Sequence, residues 1–449
     1  MHSQESLFRN EKLIKIEENK GFNCCELIER EGKRLRIGVI DADLLDNGTR
    51  HPNLALLKIS GYCKHFGHNV RLIQSYDELA YEKRISNLKF DLLVMSKVFK
   101  FTKVPENVVS MIKKHYICFG GTGFFEVDGP VLPDIVEHFK PDYSLYTEYI
   151  EWKTGGDEKL KKSRWDDYLS YSIGFTTRGC IRHCGFCVNR LLSRVVEWSP
   201  VSEFLDESRK NIYLWDDNIM AAPPKVFAKV MEDLKRTGKP FQFRQGMDIR
   251  LMTEQKAILL NEVKYHGDYI FAFDHYRTDD PKEKRQVEQT IKGLDIWRTH
   301  CRKSTKLYVL VAYDGQDEKD IEGTFYRIEI LMKHGCLPYI MRFEEYNNSK
   351  FKSMYTQLAR WCNQPSFFKK MSFRQYCVRN EEYHQGIQNI VAKGKYNTKL
   401  KIPKGGLRKK TYCSCYQAML DFEAEYPEIA NKYFDLRFED LNPYKIVKR

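Results

Sequence analysis

The stretch FTTRGCIRHCGFCVNR, residues 175–190, decides how the rest of the chain is read. It sets Cys180, Cys184 and Cys187 in the spacing C-x3-C-x2-C, just after Tyr171, Ile173 and Phe175, whose alternation reads as a strand. A loop this short cannot spread three thiolates apart, so all three can face one metal centre. Thiolate is the ligand of iron–sulfur clusters and of zinc. Three protein ligands on a four-iron cube leave one iron open, and an open position is what a reactive metal site needs and a structural one avoids. A zinc knuckle using His183 or a distant residue is the competing reading. No second CxxC or HxxxH lies nearby, and His183 directly precedes Cys184, which makes shared coordination awkward.

Working outward, 449 residues are enough for two or three domains with cores of their own. A chain 42% hydrophobic and 30% charged has a globular composition. The polar start, MHSQESLFRNEKLIKIEENKG, lacks the apolar run of a signal peptide, and no apolar stretch has transmembrane length; no membrane partner is expected. Thirteen cysteines, an odd number, point to thiols and metal ligands in a reducing compartment, hence the cytoplasm. The net charge of +13 points to an anionic partner, nucleic acid or another anion, although basic faces are often merely solvated.

Before the cysteine stretch, residues 35–42 (LRIGVIDA), 69–74, 90–96 and 116–121 read as strands, with a helix after Pro52 through Leu56, Ile59, Cys63 and Phe66. Strand alternating with helix implies a doubly wound parallel sheet. Residues 141–170 read as a linker. After it come further strands at 211–217, 241–251, 269–275, 307–315 and 337–344, each next to a helical stretch. Polar residues at the C-terminal ends of such strands are the site candidates: Asp216, Asp217 and Asn218 after 211–217; Arg244, Gln245, Asp248 and Arg250 in the third unit; Asp274 and His275; Arg342. An N-cap role for the acidic trio, and an Asp248–Arg250 ion pair, are the plain alternatives.

The cysteine triplet, with Gly179 before it and Phe186 before its last member, resembles the signature of the radical S-adenosylmethionine (radical SAM) superfamily. The resemblance implies a [4Fe–4S] cluster on Cys180, Cys184 and Cys187 whose open iron chelates SAM, reductive cleavage of SAM to a 5′-deoxyadenosyl radical, and a reductant such as flavodoxin or ferredoxin. It implies cofactor contacts from Phe186, from Asp216, Asp217 and Asn218 at the place of the family's Gly-Gly-Glu-like motif, and from Gln245, Asp274 and Arg342. The fifth strand ends Tyr313-Asp314-Gly315 instead of the family's Gly-x-Ile-x-Gly-x-x-Glu, while Met341-Arg342-Phe343 on the sixth strand and Phe186 stand where the resemblance implies backbone contacts to adenine. Residues 1–150 resemble the cobalamin-binding-type domain that precedes many such barrels. The loop after its first strand reads Asp41-Ala42-Asp43-Leu44-Leu45-Asp46 and has no histidine at the ligand position of D-x-H-x-x-G, so cobalamin and a bare scaffold both stay open.

The fold class expected is therefore α/β: a flavodoxin- or Rossmann-like domain over 1–150, a partial (β/α)6 TIM-type barrel over 151–350, and a mainly helical, basic extension over 351–449. In the extension, Lys393 to Lys410 is basic without an acid, a run suited to a phosphate backbone or simply a solvated loop. Cys362, Cys377, Cys413 and Cys415 are candidates for an auxiliary cluster. Cys24, Cys25, Cys63, Cys118, Cys301 and Cys336 read as small apolar packing residues. The function expected is that of a radical SAM enzyme of undetermined substrate. The alternatives are a cobalamin-dependent radical methyltransferase and a nucleic-acid-binding protein with a structural metal.

Overall fold

The computed structural model describes residues 13–30, 32–79, 90–125, 129–189, 192–313, 315–392 and 412–444. The protein is α/β, and its larger sheets carry parallel strand pairs. The chain divides into two compact units, Met1–Asp217 with Asp233–Phe241, and Asn218–Glu232 with Gln242–Arg449. Among the described residues no helix is long and apolar enough to cross a membrane.

In the first unit β1 (Arg36–Asp41), β2 (Asn69–Leu72), β3 (Leu92–Ser96) and β4 (Ile117–Gly120) form one parallel sheet in the order β2-β1-β3-β4. Ile37, Val39 and Ile40 of β1 and Leu92 to Met95 of β3 are all buried. Continuous burial of this kind is the mark of strands covered on both faces. One face packs on the helix Leu54–His65 through Leu56, Leu57, Ile59 and Cys63. The other meets Val108 and Met111 of the helix Glu106–Lys113.

The segment 141–170, read above as a linker, is part of this core. Tyr143, Tyr146, Tyr149 and Tyr168 are buried there, on or beside the short helices Thr147–Thr154, Glu158–Arg164 and Asp166–Ser170. Its many Lys, Asp and Glu residues face out and hide a tyrosine stripe at near-helical spacing. Arg209, itself buried, ties the segment down by donating to the carbonyls of Tyr168 (2.7 Å), Tyr171 (2.9 Å) and Tyr143 (3.1 Å). The Tyr143 hydroxyl receives the amide of Ile173 at 2.7 Å and donates to the Phe204 carbonyl at 2.8 Å. It thereby anchors β5 (Tyr171–Gly174), the strand that delivers the cysteine loop.

Tyr146 also reaches the end of the first sheet, donating to Asp41 at 2.7 Å. Burial pushes the Asp41 carboxyl up to about 6, against an ordinary 3.8. Between those two values the folded chain keeps a proton that the unfolded chain has released. Stability from this group is therefore greatest below pH 4, falls as pH rises to 6, and is level above, by about 3 kcal/mol at most. An Asp41→Asn variant, whose amide can donate to Tyr146, is expected to flatten part of the fall in urea midpoint between pH 4 and 6. An unchanged slope would dissociate Asp41 from it.

After β5 the chain forms a narrow hairpin from β6 (Thr177–Arg178) and β7 (Val196–Glu197), paired antiparallel, and then β8 (Asn211–Leu214), which pairs in parallel with β5. The sequence expected one strand over 241–251. Instead β9 (Phe241–Phe243) and β10 (Met247–Asp248) are separate, interrupted at Arg244–Gly246. Gly246 sits where an added Cβ would stand 3.0 Å from the Tyr308 ring, so the break leaves room for that ring. In the second unit β10, β11 (Tyr269–Ala272), β12 (Thr305–Val311) and β13 (Leu337–Arg342) pair in parallel in that order. Leu307, Val309 and Val311 are buried on one side of β12, facing the helix side of the sheet, while Lys306, Tyr308 and Leu310 stay half-exposed on the other. The C-terminal helices close against this unit through Phe325, Trp361, Phe373, Tyr433 and Phe434.

Candidate metal centre

The cysteines lie along the hairpin that leaves β5. Its root is zipped by the pairs Thr177–Glu197 and Arg178–Val196. At the neck Gly179 has φ +98°, and a Cβ there would stand 2.1 Å from the Arg194 carbonyl oxygen. Only glycine lets the two arms pass this closely. Cys180 follows at the neck and its amide donates to the Leu192 carbonyl at 3.1 Å. Cys184 and Cys187 sit at the tip, joined by a turn in which the Cys187 amide donates to the Cys184 carbonyl at 3.0 Å. All three thiols are half-buried. Two receive backbone amides: Arg182 donates to Cys180 Sγ at 3.3 Å, and Asn189 to Cys187 Sγ at 3.4 Å. Such bonds to sulfur are among the features that tune an iron–sulfur cluster.

What positions the hairpin is the pair of carboxylates after β8. Asp216 is 3% exposed and accepts four hydrogen bonds. They come from the Thr176 amide (2.9 Å) and hydroxyl (2.6 Å), and from the Thr177 amide (2.7 Å) and hydroxyl (2.6 Å). Burial pushes its carboxyl up to about 6, against the pull of those donors. Asp217 receives the Gly179 amide at 2.7 Å and the Asn189 side-chain amide at 2.8 Å. Arg178, its guanidinium 4.0 Å from the centre of the Phe175 ring, places Nε 3.9 Å from Asp217. The motif position flagged in the sequence is thus next to the cysteines, and its carboxylates spend their oxygens on the loop that carries them. The signal that could have revealed this is the Thr176-Thr177 pair, two hydroxyls directly upstream of the motif.

The donor chemistry fits a cluster. Among the described residues no three His, Cys, Asp or Glu side chains gather as ligands of a single ion. A four-iron cube takes thiolate ligands, and the hairpin carries three thiols, the donor type such a cluster uses. His183 is exposed at the hairpin surface.

The other sequence-flagged residues fall as follows. Phe186 is half-buried at the hairpin tip. Asn218 is buried and precedes the short helical turn Ile219–Ala221. Gln245 is exposed between β9 and β10. Asp274, after β11, accepts the Leu310 amide at 3.3 Å, and burial raises its carboxyl above the ordinary range although Arg327 works against this. His275 shares Nδ1 with Glu283 (2.8 Å) and Nε2 with Arg250 (2.7 Å), and Arg250 also forks onto Asp248 (2.6 and 3.0 Å). Because arginine can only donate, His275 accepts from it at Nε2. Arg342 is exposed at the end of β13 and donates to Tyr346 (2.9 Å) and Thr356 (3.3 Å). Asp314 and the run from Lys393 to Lys410 lie outside the described residues.

The cobalamin reading meets a different environment at the end of the first sheet. Asp41 is taken by Tyr146 and by the Leu44 amide (3.1 Å). Asn53 donates to Ser96 at 2.9 Å, accepts the Leu56 amide at 3.2 Å, and gives its backbone amide to Tyr146. Asp43 accepts the amides of Val98 (2.6 Å) and Phe99 (3.2 Å) and the Thr102 hydroxyl (2.5 Å). A Cβ on Gly121 would stand 2.3 Å from the Lys97 carbonyl oxygen, so this glycine permits a close backbone crossing. His51 lies 2.8 Å from Asp167. These side chains are hydrogen-bonded to one another and to the backbone within the domain.

All thirteen cysteines are free thiols. Of the four in the C-terminal region, Cys377 and Cys415 have Sγ atoms 3.4 Å apart, Cys413 accepts the Tyr416 amide at the start of the helix Ser414–Glu425, and Cys362 is buried in the helix Lys352–Cys362. They do not gather round one centre. Compared with known proteins, the chain matches no family model, and no curated protein matches it.

Proposed function

We propose that this protein is a radical SAM enzyme with the cluster held by Cys180, Cys184 and Cys187. The observation that carries the reading is the hairpin itself: C-x3-C-x2-C at the exit of a parallel strand, with two thiols already accepting amides and two buried carboxylates spent on holding it. A [4Fe–4S] cluster with SAM supplies, when bound, an electron that cleaves SAM to a 5′-deoxyadenosyl radical able to abstract hydrogen. The chain's own part is to bind and orient. Gly179 and the β6–β7 ladder set the arms, Asp216 fixes where the hairpin leaves β5, and the amides of Arg182 and Asn189 stabilise sulfur charge. In the fuller form of the proposal a flavodoxin-like N-terminal domain precedes a partial (β/α)6 barrel, supported by the parallel pairing within each unit. An anionic substrate, nucleic acid among them, suits the charge of +13, and a flavodoxin or ferredoxin in the cytoplasm is the proposed electron source.

The test is anaerobic reconstitution with iron and sulfide, then SAM and dithionite, with 5′-deoxyadenosine followed by chromatography. Wild type is expected to form it. Cys184→Ala, altered at a half-exposed tip, is expected to lose cluster and product while the metal-free chain melts as wild type does. A variant that instead fails to fold would favour the rival reading, a structural metal in a nucleic-acid-binding protein.

A further inference from the structure

We propose that Asp217 is a positioning residue that sets the mouth of the cysteine hairpin, a role that rests on the cluster reading above and deepens it. Its side chain is 7% exposed, and a carboxylate so placed needs partners. The partners found belong to the two flanks of the metal loop. Oδ2 takes the amide of Gly179, immediately before Cys180, and Oδ1 takes the side chain of Asn189, two positions after Cys187. One rigid group therefore spans the gap between the first and last thiol. The neighbouring helical turn does not account for it, because Ile219–Ala221 is preceded by Asn218, not by Asp217. Fold maintenance does not account for it either. The hairpin root is already closed by the β6–β7 ladder and by Asp216, which lie on the strand side of Gly179. What Asp217 adds lies on the thiol side: it fixes Gly179 against Asn189, whose amide is in turn a donor to Cys187 Sγ. Arg178, lying over Phe175 and within 3.9 Å of the carboxylate, keeps Asp217 from turning away.

Asp217→Ala removes both bonds. Asp217→Asn can keep them, with Oδ1 accepting from Gly179 and Nδ2 donating to an Asn189 amide turned over. Two readouts are taken. In the metal-free chain, hydrogen exchange at residues 179–189 is expected to quicken in the alanine variant alone, with the melting midpoint unmoved. After reconstitution, iron and sulfide held against a chelator are expected to fall roughly tenfold to a hundredfold in the alanine variant, the range for partners one shell out from a metal, with an altered reduced-cluster EPR signal, and to recover in the asparagine variant. Exchange and cluster retention both like wild type in Asp217→Ala would overturn the proposal. If no variant, wild type included, takes up a cluster, the exchange result still decides whether Asp217 holds the loop, and the enzyme reading is what fails.

Discussion

Replacing Asp216 with alanine is expected to detach the cysteine hairpin from its strand and to destabilise the folded chain by about 3–5 kcal/mol, the range for removing one side of a buried charged network. The magnitude follows from what is left behind. Two backbone amides and two hydroxyls, on Thr176 and Thr177, now end on this carboxylate at 2.6 to 2.9 Å. In a pocket where Asp216 is 3% exposed, water cannot easily replace it. Urea unfolding of the metal-free chain is the measurement, with iron content after reconstitution as the second. A loss under about 1 kcal/mol, the worth of one ordinary hydrogen bond, would mean that the threonines find other partners. The effect is larger than that expected for Asp217, because Asp216 acts at the root of the hairpin and Asp217 only beyond its neck.

Gly179→Ala is expected to cost as much at the metal centre by another route. Its φ of +98° already disfavours a side chain, and the new methyl would stand 2.1 Å from the Arg194 carbonyl oxygen, which is backbone and cannot swing aside. The arms must part, and Cys180, which bonds across them to Leu192, must move with its arm. Loss of nearly all bound iron is expected, together with a lower melting midpoint for the metal-free chain. Full iron loading in this variant would show that the arms can part without displacing the cysteines.

Much of this was legible in the residues. The strand readings at 35–42, 69–74, 90–96, 116–121, 211–217 and 269–275 fall on β1 to β4, β8 and β11, because covered parallel strands announce themselves as apolar runs. The cysteine spacing likewise singled out the hairpin. What stayed hidden depended on partners far along the chain. Asp216 read equally well as a helix cap or a cofactor ligand, and nothing local says that Thr176 and Thr177, 40 and 39 positions earlier, take its oxygens. The segment 141–170 read as a linker because its surface charge outweighs four tyrosines whose burial depends on Arg209 and β5. The split of 241–251 turned on Gly246 making room for Tyr308, a contact across 62 positions.

The amides of Val98 and Phe99 and the hydroxyl of Thr102 together make a small anion receptor beyond β3, at the sheet edge where open α/β folds take their ligands. Its guest is Asp43, a side chain of the same domain. The receptor is therefore occupied from within the chain, at a high effective concentration, and a phosphate or carboxylate from solution has to compete with it. A domain of this architecture keeps its scaffold while its binding edge becomes a latch that joins the ends of neighbouring strands.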